Sequence, residues 1–268
     1  MKKNRILFLA VLVVLMIGTL VFFVRKSKPQ KRDLAQILDS GRISVVTDSS
    51  SMGFSLKKDS VYGFQFEIIK MFTDSLGVEL QISEQNDLQK SIDGLLEGEY
   101  DVVANIVPFT SAYKDKVSFS KTIVSTRQVL VQLINTDSTS KRTILKQLEL
   151  ADDTIYIPLN SPYKMRIQHL SDEIAAKIHI VELKNVSTET LVRFVSEGRL
   201  KNTICNEDLA KKLQKQFPNI DISLAIGFNQ NHGWLVNVNS PQLLEKLDAF
   251  LTDFMGSTAY WELYRKYN

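Results

Sequence analysis

The chain has 268 residues, a formal net charge of +3 and a single cysteine, Cys205. One cysteine excludes an internal disulfide. The positive charge gathers at the start of the chain (Lys2, Lys3, Arg5, then Arg25, Lys26, Lys28, Lys31 and Arg32), and the remainder has no excess of base, which excludes the cationic face that a nucleic acid requires.

Residues 6–24 form an apolar run without charge. At about 1.5 Å per residue in a helix it is long enough to cross the hydrocarbon core of a bilayer. The basic residues before it predict a cytoplasmic N-terminus, although Arg25, Lys26 and Lys28 also put charge behind it. A cleaved signal peptide is the alternative. The run ends Val21-Phe22-Phe23-Val24 with no A-x-A pattern, and no cysteine is placed for lipidation. The expectation is an uncleaved anchor in a bacterial inner membrane, single-pass, with the following domain in the periplasm.

Residues 28–32 read as a linker holding Pro29. Residues 33–40 predict a short helix closed by Gly41, and RISVVT (42–47) predicts a strand. A hydroxyl-rich loop follows, Asp48-Ser49-Ser50-Ser51-Met52-Gly53-Phe54. Phe64, Ile68, Met71, Phe72 and Leu76 share one stripe of a helix that Gly77 ends. The stripe reads as core. Residues 78–82 predict a strand, and 87–97 an amphipathic helix closed by Gly98. Then come a strand over 100–106, a polar loop over 108–116, the tetrapeptide VSFS (117–120) and a strand over 127–133. The order β-α-β-α-β predicts an open α/β lobe whose site lies beyond the carboxyl ends of its strands.

The second half repeats that logic. Residues 141–148 predict a helix, and DTIYIP (153–158) a strand. Asn160 or Ser161 is the expected cap of a helix through Leu170, with Pro162 at its first position. Such a helix start is an anion-friendly spot. Strands are predicted over 178–183, 200–206 and 220–226, and helices over 187–197 and 207–217. A polar loop (227–233) precedes Trp234-Leu235-Val236-Asn237-Val238. Helices over 242–255 and 258–267 end the chain.

Three segments carry a family resemblance. They are GFQFEIIKMFTDSLGVEL (63–80), the stretch Asp101-Val102-Val103-Ala104…Thr110…Val117-Ser118-Phe119-Ser120…Gln128-Val129-Leu130-Val131, and the ending Trp234…Ser240-Pro241…Tyr264…Tyr267. In order, they resemble the bacterial extracellular solute-binding proteins of family 3, from about Arg42 to the end. Within that family the segment at 63–80 is most similar to the solute-binding half of membrane-bound lytic transglycosylase F. The resemblance implies an α/β, two-lobed fold of the type II periplasmic-binding-protein kind with two crossing strands. It implies an anchor and linker over 1–32, a first lobe over 33–127 and 233–268, and a second lobe over 128–232. No catalytic domain of the transglycosylase kind is expected.

The resemblance also implies a ligand cleft. Its expected residues are Asp48, Ser50, Ser51, Phe54, Phe64, Phe109, Thr110, Tyr113 and Arg127 on one side, with Ser161, Tyr163 and Asn206 on the other. Family members that bind α-amino acids grip the carboxylate with an arginine and the ammonium with an aspartate. Here Tyr113 and Asn206 align with those two residues, so both charged grips are absent. Arg127 either replaces the lost charge or lies exposed. The expected ligand is neutral or singly charged: an amino-acid derivative, a peptide or a peptidoglycan fragment. A membrane transporter or a cell-wall enzyme is the expected partner, and nucleic acid is not. An enzyme on the same scaffold, similar to cyclohexadienyl dehydratases, is the alternative. Asp48, Glu67 and Glu207 are its candidate acids and bases, while His169, His179 and His232 are scattered. No nucleophile–base pattern, cofactor or metal spacing is evident.

Overall fold

The computed structural model describes residues 31–57, 60–134 and 143–267. The apolar run 6–24 and its predicted anchor lie outside them. Among the described residues no helix is long and apolar enough to cross a membrane. Residues 31–268 form one compact unit containing two principal sheets.

The first sheet orders β4 (Glu79–Glu84), β1 (Arg42–Thr47), β5 (Val102–Pro108), β13 (Gln230–Asn237) and β6 (Val117–Phe119), with β7 (Val124–Thr126) also on β13. The second orders β10 (His179–Leu183), β9 (Thr154–Pro158), β11 (Asn202–Asn206), β8 (Gln128–Leu133) and β12 (Ile220–Asp221). In each, the central ladders are parallel, and one long strand, β13 or β8, runs antiparallel to its neighbours. A separate hairpin pairs β2 (Ser55–Lys57) with β3 (Ser60–Tyr62). Arg127 alone separates β7 in one sheet from β8 in the other. The chain returns between Ala225, which still bridges to Val129, and Gln230. The expected two-lobed fold with two crossings is what forms.

Helices α1 (Leu34–Ser40), α2 (Phe64–Leu76), α3 (Leu88–Glu97), α7 (Pro241–Met255) and α8 (Thr258–Tyr267) accompany the first sheet, and α4 (Tyr163–Glu173), α5 (Thr188–Ser196) and α6 (Glu207–Gln216) the second. Local chemistry sets many of their ends. Asp33 caps α1 in a capping box with Gln36. The same carboxylate accepts from Gln242 N–H (3.2 Å) and Leu243 N–H (2.8 Å), so it also caps α7. Ser240, at the N-cap position of α7, donates its hydroxyl to the Arg32 carbonyl (2.7 Å) and not to the helix.

The α2 stripe is core, as its spacing requires: Phe64, Ile68 and Phe72 are fully buried. Burial of each such side chain contributes about 1.5–3 kcal/mol. Phe64 meets Tyr260, Tyr264 and Tyr267 of α8 edge to face, with centroids 5.9–6.4 Å apart. Trp234 is fully buried, and its indole N–H donates to Gln65.

Three local expectations change. The helix expected over 141–148 is replaced, in its described part, by a single 3-10 turn at Gln147–Leu150. Gln132 of β8 takes both the N–H (2.9 Å) and the carbonyl (2.8 Å) of buried Ile144, which pins the segment to the sheet instead of letting it wind. The strand expected over 220–226 keeps only β12 in its ladder, and Leu224 and Ile226 follow β8 through isolated bonds. Pro162 takes the cap position of α4 rather than the first helical one. Asn160 turns left-handed at φ 55° and donates to Glu182 (2.9 Å), so it does not cap the helix.

Candidate functional site

A cavity of about 110 Å³ opens beyond the carboxyl ends of β1, β5, β9 and β11. One water needs roughly 10–15 Å³, so the space is that of a small molecule. The first lobe contributes Asp48, Ser50, Met52, Phe64, Asn86, Asn105, Ile106, Val124, Thr126 and Tyr264; the second contributes Ser161, Tyr163, Thr188, Asn206, Asp208 and Leu209. This is the place that strand polarity assigns to a ligand in an open α/β sheet. An adjoining recess shares Asn86 and Val186 with it and is lined by charged groups, among them Glu84, Asp87, Lys90 and Lys184.

The 48–54 loop is folded on itself. The Asp48 carbonyl accepts from Ser50 N–H (3.1 Å) and Phe54 N–H (2.9 Å), and the Ser50 hydroxyl accepts from Met52 (3.2 Å) and Gly53 (2.9 Å). A Cβ on Gly53 would run into the Asp48 carbonyl and carboxylate, so only glycine fits there. Burial pushes the Asp48 carboxyl above the usual carboxylate range; the Ser50 hydroxyl works against the shift, and Glu189 adds to it. Across the cavity, burial also pushes Asp208 up, against a hydrogen bond from Thr126. The Tyr163 hydroxyl is held by Thr188 and the Asn206 backbone, and burial raises its pKa. The side-chain oxygens of Asn105 and Asn206 and the Ser161 hydroxyl are buried with no protein partner. Such groups are costly unless something else satisfies them.

Six of the expected residues line the cavity: Asp48, Ser50, Phe64, Ser161, Tyr163 and Asn206. The other six stand outside its lining. Ser51 faces Glu189. Phe54 packs edge to face on Phe66 (5.3 Å). Phe109 leans on Phe119 (5.0 Å), and Thr110 follows it. Tyr113 packs among the apolar side chains around α3. Arg127 forks onto Glu207 through two bonds of 3.0 and 3.1 Å. That fork holds the Glu207 carboxyl below its ordinary range.

Of the other acid and base candidates, Glu67 accepts from the Tyr267 hydroxyl and from Lys266. His169 and His179 are exposed. His232 is buried against the Gln230 carbonyl (2.8 Å), and burial lowers its pKa. Among the described residues no cluster of metal-binding side chains occurs.

Sequence reasoning missed Asn86, Asn105, Thr126, Thr188, Asp208 and Tyr264. Asp208 gave no signal, because an acid in the first turn of a helix is the ordinary complement to its dipole.

Hydrogen bonds tie the lobes together around the cavity. Glu189 of α5 accepts from the Ser51 N–H (3.0 Å) and hydroxyl (2.5 Å), and Lys212 of α6 donates to the same hydroxyl (3.0 Å). The Asn160 amide donates to Asp87 (2.9 Å).

Solved structures share this architecture. An arginine-binding protein from T. maritima superposes with a TM-score of 0.74 at 19% identity, covering 87% of this chain and 97% of its own. An amino acid ABC transporter substrate-binding protein from Streptococcus pneumoniae, bound to L-arginine, gives 0.73 at 16% identity over 87% and 97%. At these identities the likeness shows the fold. Among curated relatives, membrane-bound lytic murein transglycosylase F of Desulfosudis oleivorans is 23% identical over 255 residues, 95% of this chain and 54% of that one. The Pseudomonas fluorescens protein of the same name is 26% identical over 220 residues, 81% of this chain and 44% of that one. The chain therefore spans about half the length of the curated relatives it matches. The family model described as bacterial extracellular solute-binding proteins, family 3, matches residues 42–268. With that match laid over a two-lobed fold and a cavity at the strand ends, the chain belongs to the bacterial extracellular solute-binding proteins of family 3.

Proposed function

We propose that this chain is an extracytoplasmic receptor that closes its two lobes over one small, nitrogen-bearing solute of amino-acid size. The observation that carries the reading is the cavity itself, lined by both lobes and ringed by interlobe hydrogen bonds. The arginine-binding protein and the L-arginine-bound protein that share its fold support a ligand of that size. In this reading residues 6–24 anchor the receptor in the bacterial membrane, the first lobe comprises 33–127 and 230–268, its return starting at Gln230 rather than at the expected 233 because Gln230–His232 pair with β7, and the second lobe comprises 128–229. The receptor serves a transporter or, as the transglycosylase relatives suggest, a cell-wall enzyme.

A thermal-shift screen with amino acids, amines, dipeptides and muropeptides tests it. One class should raise the melting temperature, with about 2.7 kcal/mol of stabilisation at a hundredfold excess over Kd, and Asp208→Asn should remove the effect. No shift from any class, or an undiminished shift in the variant, would sink the reading.

One observation favours a second reading. Two carboxyls with raised pKa on one cavity, Asp48 and Asp208, are what a general acid requires. A turnover assay with prephenate and arogenate decides between the two: product formation lost in Asp48→Asn would make the chain an enzyme.

A further inference from the structure

We infer that the ligand of this cleft is a cationic amine with an apolar body and no carboxylate. The inference rests on the receptor reading above and narrows it.

Charge comes first. The described residues lining the cavity include two acids, Asp48 and Asp208, and no Lys, Arg or His. The bases nearby are committed elsewhere. Arg127 forks onto Glu207, Lys211 joins the same carboxylate at 3.3 Å, and Lys212 is held at Ser51. Lys90 and Lys184 stand in the adjoining recess with Glu84 and Asp87.

Hydrogen-bonding capacity points the same way. The amide oxygens of Asn105 and Asn206 lie buried and unpartnered, and an amide oxygen can only accept. Two carboxylates and two amide oxygens on one cavity ask for N–H donors and positive charge, the strongest pairing available to them. The remaining wall is largely apolar, with Met52, Phe64, Val124 and Leu209 among its side chains, so the body of the ligand is apolar too.

A ligand carboxylate would find little welcome. Among the described residues no guanidinium lines the cavity to grip it. Five helices begin at the cavity, but α2 gives its first N–H groups to the Met52 and Gly53 carbonyls, α3 is capped by the Asp87 carboxylate, and α5 and α6 carry Glu189, Glu207 and Asp208 in their first turns. The start of α4 is Pro162, which has no N–H. What remains of the α4 dipole is typically worth less than tenfold in affinity. Placing a carboxylate beside Asp48 and Asp208 costs more than that.

Titration calorimetry of the full chain tests this with pairs that differ only in the carboxylate: tyramine against L-tyrosine, and agmatine against L-arginine. The expected result is that at least one amine binds ten times or more tightly than its amino acid. Asp208→Asn and, separately, Asn105→Leu should each weaken that amine at least tenfold. Equal or tighter binding of the amino acid in a pair that binds overturns the inference, and so does silence from both amines. If a neutral or acidic solute is instead held in the cleft and lost in Asp208→Asn, the ligand class falls while the receptor reading stands. If nothing in the wider thermal-shift screen binds, both fall.

Discussion

Two acids at opposite ends of the first sheet are treated in opposite ways. Asp101 precedes β5 at the base of the lobe, and only 3% of its side chain is exposed. It accepts both nitrogens of an Arg32 fork and the Ser44 N–H (2.8 Å). Asp48 follows β1 at the cleft, where its companions are a neighbouring hydroxyl and a second carboxylate, Glu189, and burial raises its pKa. An acid that serves the fold arrives with its own counter-charge. The acid that we propose for the ligand has that place open, and the folded protein bears the cost.

The largest test of this contrast breaks the base. Asp101→Ala strands Arg32 and the Ser44 N–H, and breaking a buried pair from one side costs about 3–5 kcal/mol. Denaturant unfolding should show a loss of that order; a loss well under ~1 kcal/mol would erase the distinction between the two ends.

The cleft should respond with the opposite sign. Replacing both Asp48 and Asp208 by Asn should stabilise the ligand-free protein by about 0.5–2 kcal/mol near neutral pH. The pH dependence sharpens the point. Both carboxyls have folded-state pKa values above their unfolded ones, so the folded state holds protons that the unfolded state has released. Stability from these groups therefore falls as pH rises from about 4 through the raised values. Melting temperatures across that window should decline for the natural chain and flatten for the double variant. A rise would mean that each acid has a hidden cationic partner.

The smallest effect belongs to the hinge. Arg127 and Glu207 are a solvent-exposed fork, and such pairs contribute little. Arg127→Ala should leave the melting temperature within replicate scatter. Its readout is Glu207, whose carboxyl should return toward the ordinary range in an NMR titration. No movement there would assign the lowered pKa to Lys211 instead.

Much of the fold was legible because its punctuation is local. Asp33, Asp87 and Ser187 cap helices, and Gly41, Gly77 and Gly98 close them in the left-handed conformation. Strand β1 was read at its true limits because a β-branched run is bounded by Gly41 and Asp48. What the sequence hid was set by distant partners. The segment at 144 is held by Gln132, and no local pattern announces that bond. The acids at 207 and 208 are adjacent in sequence, yet one turns out to Arg127 and the other in to the cavity; their helical phase separates them, not their chemistry. Tyr113 aligned by motif spacing with a ligand-gripping residue, but its ring found an apolar place beside α3 first.

Asp33 has a mechanical consequence. It caps α1 and α7 together, and beside it Arg32 is fastened to Asp101 and, through its carbonyl, to Ser240. The point at which the chain enters the folded unit is thus riveted into the first lobe from three directions. A pull applied upstream of it loads β5 and α7 directly. Between the lobes, the covalent path runs through Arg127 and the return at 226–229. The first lobe is therefore the one to which the entering chain is fastened, and the second lobe, with α5 and α6, hangs from it covalently by two short segments alone.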